Sequence, residues 1–129
     1  MTRTTQNHIL ALSPELRDIL QKTWPSIEQI ATSHRCSVKI ICSTRTQQEQ
    51  DALWEIGRSL PGRRVTWTRH SKHQDGHAVD LALFQDGFYL DDQNPVKAYG
   101  IYEEIAEHLK KHGLKWLGPI GDDAHFELP

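Results

Sequence analysis

The apolar stretches of this chain are only as long as strands. The longest candidates, Val38–Cys42 and Val79–Phe84, span a handful of residues, far short of the roughly 18 that a membrane-crossing helix needs. Val38-Lys39-Ile40-Ile41-Cys42 is β-branched and reads as a buried strand, and a second strand is expected near Ala78–Phe84. Helical spacing occupies much of the remainder. Ser13-Pro14 is an N-cap followed by proline at the first helical position. Behind it Leu16, Ile19, Leu20, Trp24, Ile27 and Ile30 recur on one face, with Pro25 expected to kink or split the run. Thr46 and Glu49 have the spacing of a capping box. Leu53, Trp54, Ile56 and Leu60 continue from them as one face, stopped by Pro61-Gly62. A third helix is expected over Tyr99–Lys111, ending on cations and Gly113. Val65–Thr68, Phe88–Leu90, Leu114–Trp116 and His125–Leu128 read as further short strands, with Asp86-Gly87 as a turn and Asp91–Pro95 as a loop. Helices and strands mix without regular βαβ alternation, so the fold class is α+β, a small antiparallel sheet with flanking helices.

A chain of 129 residues is one domain's worth, with no linker or internal repeat, and the expectation is a single domain over 1–129. Its net charge of -2 supplies no basic field for nucleic acid or acidic lipid, so neither nucleic-acid binding nor membrane insertion is expected. M-T-R-T-T-Q-N-H is not followed by an apolar stretch of signal-peptide length, which points to synthesis in the cytoplasm. Nothing in the pattern asks for an obligate dimer, and a monomer is expected. Cys36 and Cys42, if joined by a strand, sit roughly 20 Å apart and cannot form a disulfide. They also lack the close spacing of a zinc-binding cysteine pair, and read as two reduced thiols.

Histidine is the unusual residue, with eight in the chain. The segment Ser71-Lys72-His73-Gln74-Asp75-Gly76-His77-Ala78-Val79-Asp80 puts a histidine in a turn and a carboxylate on the strand that follows. Strand parity places Ala78, Asp80 and Ala82 on one face, and His77, Val79, Leu81 and Leu83 on the other. Asp80 thus lies between two small side chains that leave room for an ion or a substrate. At the other end of the chain, Phe126 and Leu128 alternate with His125 and Glu127, so His125 points away from the core. His125 joining His73 and Asp80 makes a two-histidine, one-aspartate set, of the kind that binds zinc while leaving a position for water. Asp122, three residues before His125, is then placed to take a proton from that water and pass it to a leaving amine. Spacing alone also admits three unrelated polar residues.

Taken together, S-x-H-x-x-G-x-A-x-D (Ser71, His73, Gly76, Ala78 and Asp80) and the later D-x-x-H-F resemble the zinc D-alanyl-D-alanine carboxypeptidase family. They are most similar to its bacteriophage endolysin branch, the L-alanyl-D-glutamate peptidases. Ser43 to Thr66, S-T-R-T-Q-Q-E-Q-D-A-L-W-E-I-G-R-S-L-P-G-R-R-V-T, resembles the arginine turn, E-Q helix, G-R and P-G-x-x-V-T segments of that branch. The resemblance implies a Hedgehog/D,D-peptidase type of fold and Zn2+ as cofactor, bound by His73, Asp80 and His125. It implies Asp122 as catalytic acid/base, with Arg45 orienting a peptide carboxylate and Ser71 contacting substrate. The partner it implies is bacterial peptidoglycan, cut at L-Ala–D-Glu in the course of host cell lysis.

There are departures from the branch. Where it often carries W-G-G-D-W, this chain has Trp116-Leu117-Gly118-Pro119-Ile120-Gly121, which leaves the choice of bond open. His77 stands where an aliphatic residue is usual. Asp122-Asp123 offers two carboxylates, of which Asp122 has the family spacing. The alternatives are a D,D-carboxypeptidase or dipeptidase acting on D-Ala–D-Ala ends, and a non-catalytic peptidoglycan-binding module. Asp91, Asp92 and Asp86 read as solvated loop residues rather than a calcium site, because they lack EF-hand spacing.

Overall fold

The structure, a computed structural model, describes residues 1–43, 47–66, 72, 73 and 75–129, without the side chain of Gln47. Arg45, Thr46, Trp67, Thr68 and Ser71 therefore lie outside the described residues, and with them the expected capping box and half of the expected strand at Val65–Thr68. Val65 and Thr66 are in coil, not in a strand.

The chain runs α1 (Arg3–Leu10), α2 (Pro14–Ser33), β1 (Ser37–Cys42), α3 (Gln47–Glu55), β2 (Ala78–Gln85), β3 (Phe88–Tyr89), α4 (Leu90–Gln93), α5 (Pro95–Lys110), β4 (Lys115–Trp116), a 3-10 turn (Gly118–Ile120) and β5 (His125–Glu127). Among the described residues the strands form one five-stranded antiparallel sheet, ordered β1-β2-β5-β4. β3 returns along the far end of β2 through Asp86-Gly87, both with positive φ, as a two-residue hairpin turn requires. The fold is therefore α+β.

Alternation along β2 builds the core. Val79, Leu81 and Leu83 are buried, together with Val38 and Ile40 of β1 and Phe126 of β5. Against them pack Leu16, Leu20, Trp24 and Ile27 of α2 and Ile101, Tyr102, Ile105 and Leu109 of α5. Each large apolar side chain buried in this way contributes about 1.5–3 kcal/mol. The opposite face of β2 carries Ala78, Asp80 and Ala82.

Pro25 does not split α2, which is continuous over Pro14–Ser33. Proline removes one bond, to the carbonyl of Gln21. Both residues are exposed, so water can satisfy that carbonyl. The helix from Gln47 ends at Glu55, short of Leu60, because Gly57 takes a left-handed φ of 78° and turns the chain. α5 begins at Pro95, earlier than the periodicity indicates, because the Asn94 side chain accepts a hydrogen bond from the Lys97 amide and Pro95 suits the first turn. α1 was not expected. It is polar, buries only Thr5 and Ile9, and is held by Thr2 at its N-cap and by packing on β1.

Candidate metal centre

Cross-strand register creates the site. Asp80, in the middle of the sheet, pairs with Cys42 of β1 on one side and His125 of β5 on the other. Paired residues share a face, so the three side chains form a row. A β-bulge between Ile40 and Cys42 brings Cys42 into that row, since unbroken pairing would set Ile41 opposite Asp80. Ala78 and Ala82 leave the Asp80 carboxylate uncrowded.

His73 reaches the row from the turn before β2. That turn is closed by hydrogen bonds from the Gly76 amide to the His73 carbonyl (3.2 Å) and from the His77 amide to the Lys72 carbonyl (2.9 Å). Gly76 has φ 70°, and a Cβ there would come within 2.7 Å of the Ser13 backbone nitrogen, so glycine is required at this packed corner. The start of α2 thereby positions the histidine turn. His77 lies just before β2, half-buried, and its carbonyl accepts the Leu128 amide.

Asp122 is positioned by the C-terminal loop. Gly121 takes φ 95°, the Asp122 amide donates to Leu117 O (3.0 Å) and the His125 amide donates to Asp122 O (3.3 Å). The Trp116 indole N–H donates to the Asp123 carbonyl at 2.7 Å, and Gly118 packs so closely on that indole that no side chain fits there. The opposite wall comes from α3 and the coil after it. Gln50, fully buried, donates to Thr66 Oγ1 (3.1 Å), while Arg58 lies 3.4 Å over the Trp54 ring and donates to Thr66 O (3.1 Å).

These elements enclose an open cavity of about 320 Å³ lined by Leu53, Val65, Thr66, His73, Asp80, Asp122 and His125. Asp80 is its focus. Asp80 Oδ2 is 3.3 Å from His73 Nε2, and Oδ1 is 2.9 Å from His125 Nδ1. The two imidazoles stand edge to face, with centroids 5.0 Å apart. Asp122 Oδ2 is 3.8 Å from His125 Nδ1, at the cavity rim. Asp123 does not line the cavity, and burial first, then repulsion from Asp91, raises its carboxyl pKa.

The donor set fits a zinc ion. Each imidazole turns one nitrogen to the Asp80 carboxylate, and the remaining nitrogen of each ring has an outer partner. His125 Nε2 lies 2.8 Å from Glu127 Oε1, and His73 Nδ1 lies 3.6 Å from Cys42 Sγ. Histidines that bind metals are ordinarily held in this way through the second nitrogen. Cys42–His73–Asp80 and Asp80–Asp122–His125 each bring three ligand atoms within 4.8 Å of one another.

His73, Asp80, His125 and Asp122 thus share one cavity, whereas Arg45 and Ser71 lie outside the described residues. Sequence reasoning missed Cys42 and Glu127. For Glu127 the signal was present, because alternation puts it on the same face as His125. For Cys42 it was not, because a bulge leaves no mark in strand periodicity.

The ionisable side chains of the site act on one another. Burial alone would depress His73, but hydrogen bonds to Asp80 and Cys42 outweigh it and hold its pKa at about 9. His125 is raised as well, with burial overcome by Asp80 and Glu127. Burial would raise Asp80, yet the two histidines hold it well below the usual carboxylate range. Asp122 is raised, first by partial enclosure and then by repulsion from Asp80.

The linkage has a definite sign. The His73 contribution to stability is complete below its ordinary value of 6.5 and is lost as pH rises through about 9. The Asp80 contribution is present above its ordinary value of 3.8 and is lost on acidification. Chelated protein is therefore expected to melt at progressively lower temperature from pH 6.5 to 9. Added zinc must displace the same imidazole protons, so the zinc-induced rise in Tm should grow over that window. Thermal melts with chelator and with zinc, at matched pH, check both slopes.

The profile of the D-alanyl-D-alanine carboxypeptidase family matches residues 64–128, just over half of the chain. The peptidoglycan L-alanyl-D-glutamate endopeptidase CwlK of Bacillus subtilis (strain 168) is 28% identical over 123 residues, covering 88% of this chain and 74% of that protein. Among solved structures, the crystal structure of the Serratia marcescens L-Ala D-Glu endopeptidase ChiX aligns with a TM-score of 0.65 at 18% identity, covering 100% of this chain and 89% of that one.

Proposed function

This chain belongs to the D-alanyl-D-alanine carboxypeptidase family, and from that premise we propose that it is a zinc peptidase cutting the L-Ala–D-Glu bond of peptidoglycan stem peptides. The observation that carries the reading is one cavity holding His73, Asp80 and His125 with a further carboxylate, Asp122, at its rim. The bond assignment draws on the activities named for the Bacillus and Serratia relatives.

In this reading His73, Asp80 and His125 hold the ion. When bound, zinc acidifies a water and polarises a peptide carbonyl. Asp122, with its pKa raised, takes the proton that the attacking water loses and returns it to the departing nitrogen. Leu53, Val65 and Thr66 form the wall against which the peptide lies. Arg45 and Ser71 are proposed to orient its carboxylate and backbone, a guanidinium fork being suited to a carboxylate. The motif resemblance extends the proposal to a lysin of the phage type, and we propose that it acts as a monomer.

The test is mass spectrometry of fragments released from diaminopimelate-type peptidoglycan, with zinc and with chelator. Metal-dependent peptides beginning at D-Glu are expected. Release of D-Ala alone would reassign the chain to the carboxypeptidase activity in the family's name, and no release in either condition would leave a wall-binding role.

A further inference from the structure

Glu127 and Lys72 lie outside the cavity lining, yet they join the two segments that carry its histidines. Glu127 is half-buried on β5 and accepts from His125 Nε2 at 2.8 Å. Its other oxygen meets Lys72 Nζ, also at 2.8 Å. Lys72 immediately precedes His73, and its ammonium donates as well to the Leu128 carbonyl at 2.6 Å. An ion pair thus ties the turn bearing one histidine to the strand bearing the other.

From this geometry we infer that Glu127 is a positioning residue for metal binding, and that Lys72 holds it in place. The inference rests on the zinc reading of the site. A neutral imidazole carries one proton, and the nitrogen without it is the ligand. A carboxylate bonded at Nε2 keeps the proton there and presents the Nδ1 lone pair towards Asp80 and Asp122. It also makes Nδ1 a stronger donor. Lys72 fixes the second carboxylate oxygen, so Glu127 cannot swing towards the ion, and it draws the His73 turn against β5. The paired charges are only partly exposed, with side-chain exposures of 42% for Lys72 and 12% for Glu127, which sets this pair apart from the weak ion pairs of open surfaces.

The experiment measures zinc affinity by competition with a chromogenic chelator, and the visible spectrum of the cobalt(II) form, for the parent chain and for Glu127→Ala, Glu127→Gln and Lys72→Met. Glu127→Ala is expected to weaken zinc binding by about 10–100-fold and to shift the cobalt bands. Glu127→Gln keeps an acceptor for Nε2–H without the charge and should fall between Ala and the parent. Lys72→Met should lose less than Glu127→Ala, and should lose nothing further in its background. Parent-like affinity and spectrum in Glu127→Ala would overturn the inference. If circular dichroism shows that variant unfolded, parent-like affinity in Glu127→Gln overturns it instead. A parent chain that binds no zinc removes the underlying reading as well, which separates the two failures.

Discussion

Asp122→Ala is expected to lower turnover by about 10²–10⁴-fold, the range typical of a lost general acid/base, while the protein keeps its zinc. The Asp122 carboxylate lies 3.8 Å from His125 Nδ1, at the rim where the cavity opens. It is thus close to the reacting groups, while Asp80 occupies the position between the imidazoles. Its main-chain bonds to Leu117 and His125 use backbone atoms, so removing the side chain leaves the loop closed. Asp123→Ala is the matched control. Trp116 holds that residue through its carbonyl, and its side chain is not part of the cavity lining, so turnover should stay near the parent value. The measurement is the rate of peptide release together with zinc content by atomic emission. Full activity in Asp122→Ala would refute its assignment, and a loss confined to Asp123→Ala would move the base by one residue.

Asp80→Ala is expected to abolish activity by a different route, with metal and turnover lost together. Asp80 contacts both imidazoles, at 3.3 and 2.9 Å. Its charge also raises the pKa of both imidazoles when no metal is bound, and without it their pKa values should fall. The loss of zinc affinity should exceed the roughly 10–100-fold that accompanies removal of an outer partner. Asp80→Asn separates charge from shape, since the amide fits the row yet is a poor zinc ligand, and it should behave like the alanine variant. Zinc-to-protein ratios after dialysis against a weak chelator decide the matter. Stoichiometric zinc in either variant would show that the ion is held elsewhere.

The contrast between these variants mirrors how the site is built. Asp80 is set by pairing inside a sheet, and its proposed role should be lost only along with the metal. Asp122 is set by a loop, and its proposed role should be separable. Lys72 and Glu127 stand between the two cases, because they would act through the proposed ligand His125 and the turn that carries His73.

Local pattern carried much of this. Alternation along β2 separates the large core side chains Val79, Leu81 and Leu83 from Ala78, Asp80 and Ala82, of which the two alanines are buried and Asp80 is half-buried. The 3.6-residue spacing of α2 and α5 marks their core faces, and the order His73, Asp80, Asp122, His125 is visible in the chain. These features depend on a residue's near neighbours, which is why the amino-acid order alone determined them. It also determined that Glu127 shares a face with His125, although not that Lys72 would meet it.

Tertiary structure decided the rest. Sequence periodicity assigns a residue to a face but cannot say which strand lies beside it. Only pairing puts Cys42, Asp80 and His125 in one row, and only the bulge at Ile41 brings Cys42 into it. The polar helix α1 forms because β1 offers it a surface, a reason absent from its own sequence. Likewise Pro25 is tolerated because its face of α2 meets water. The cavity wall at Thr66 depends on Gln50 and Arg58 reaching it from α3 and the turn beyond. Sequence order supplied the candidate ligands and their faces. The distances between those groups are properties of the assembled sheet, because each is set by a backbone segment that becomes a neighbour only on folding.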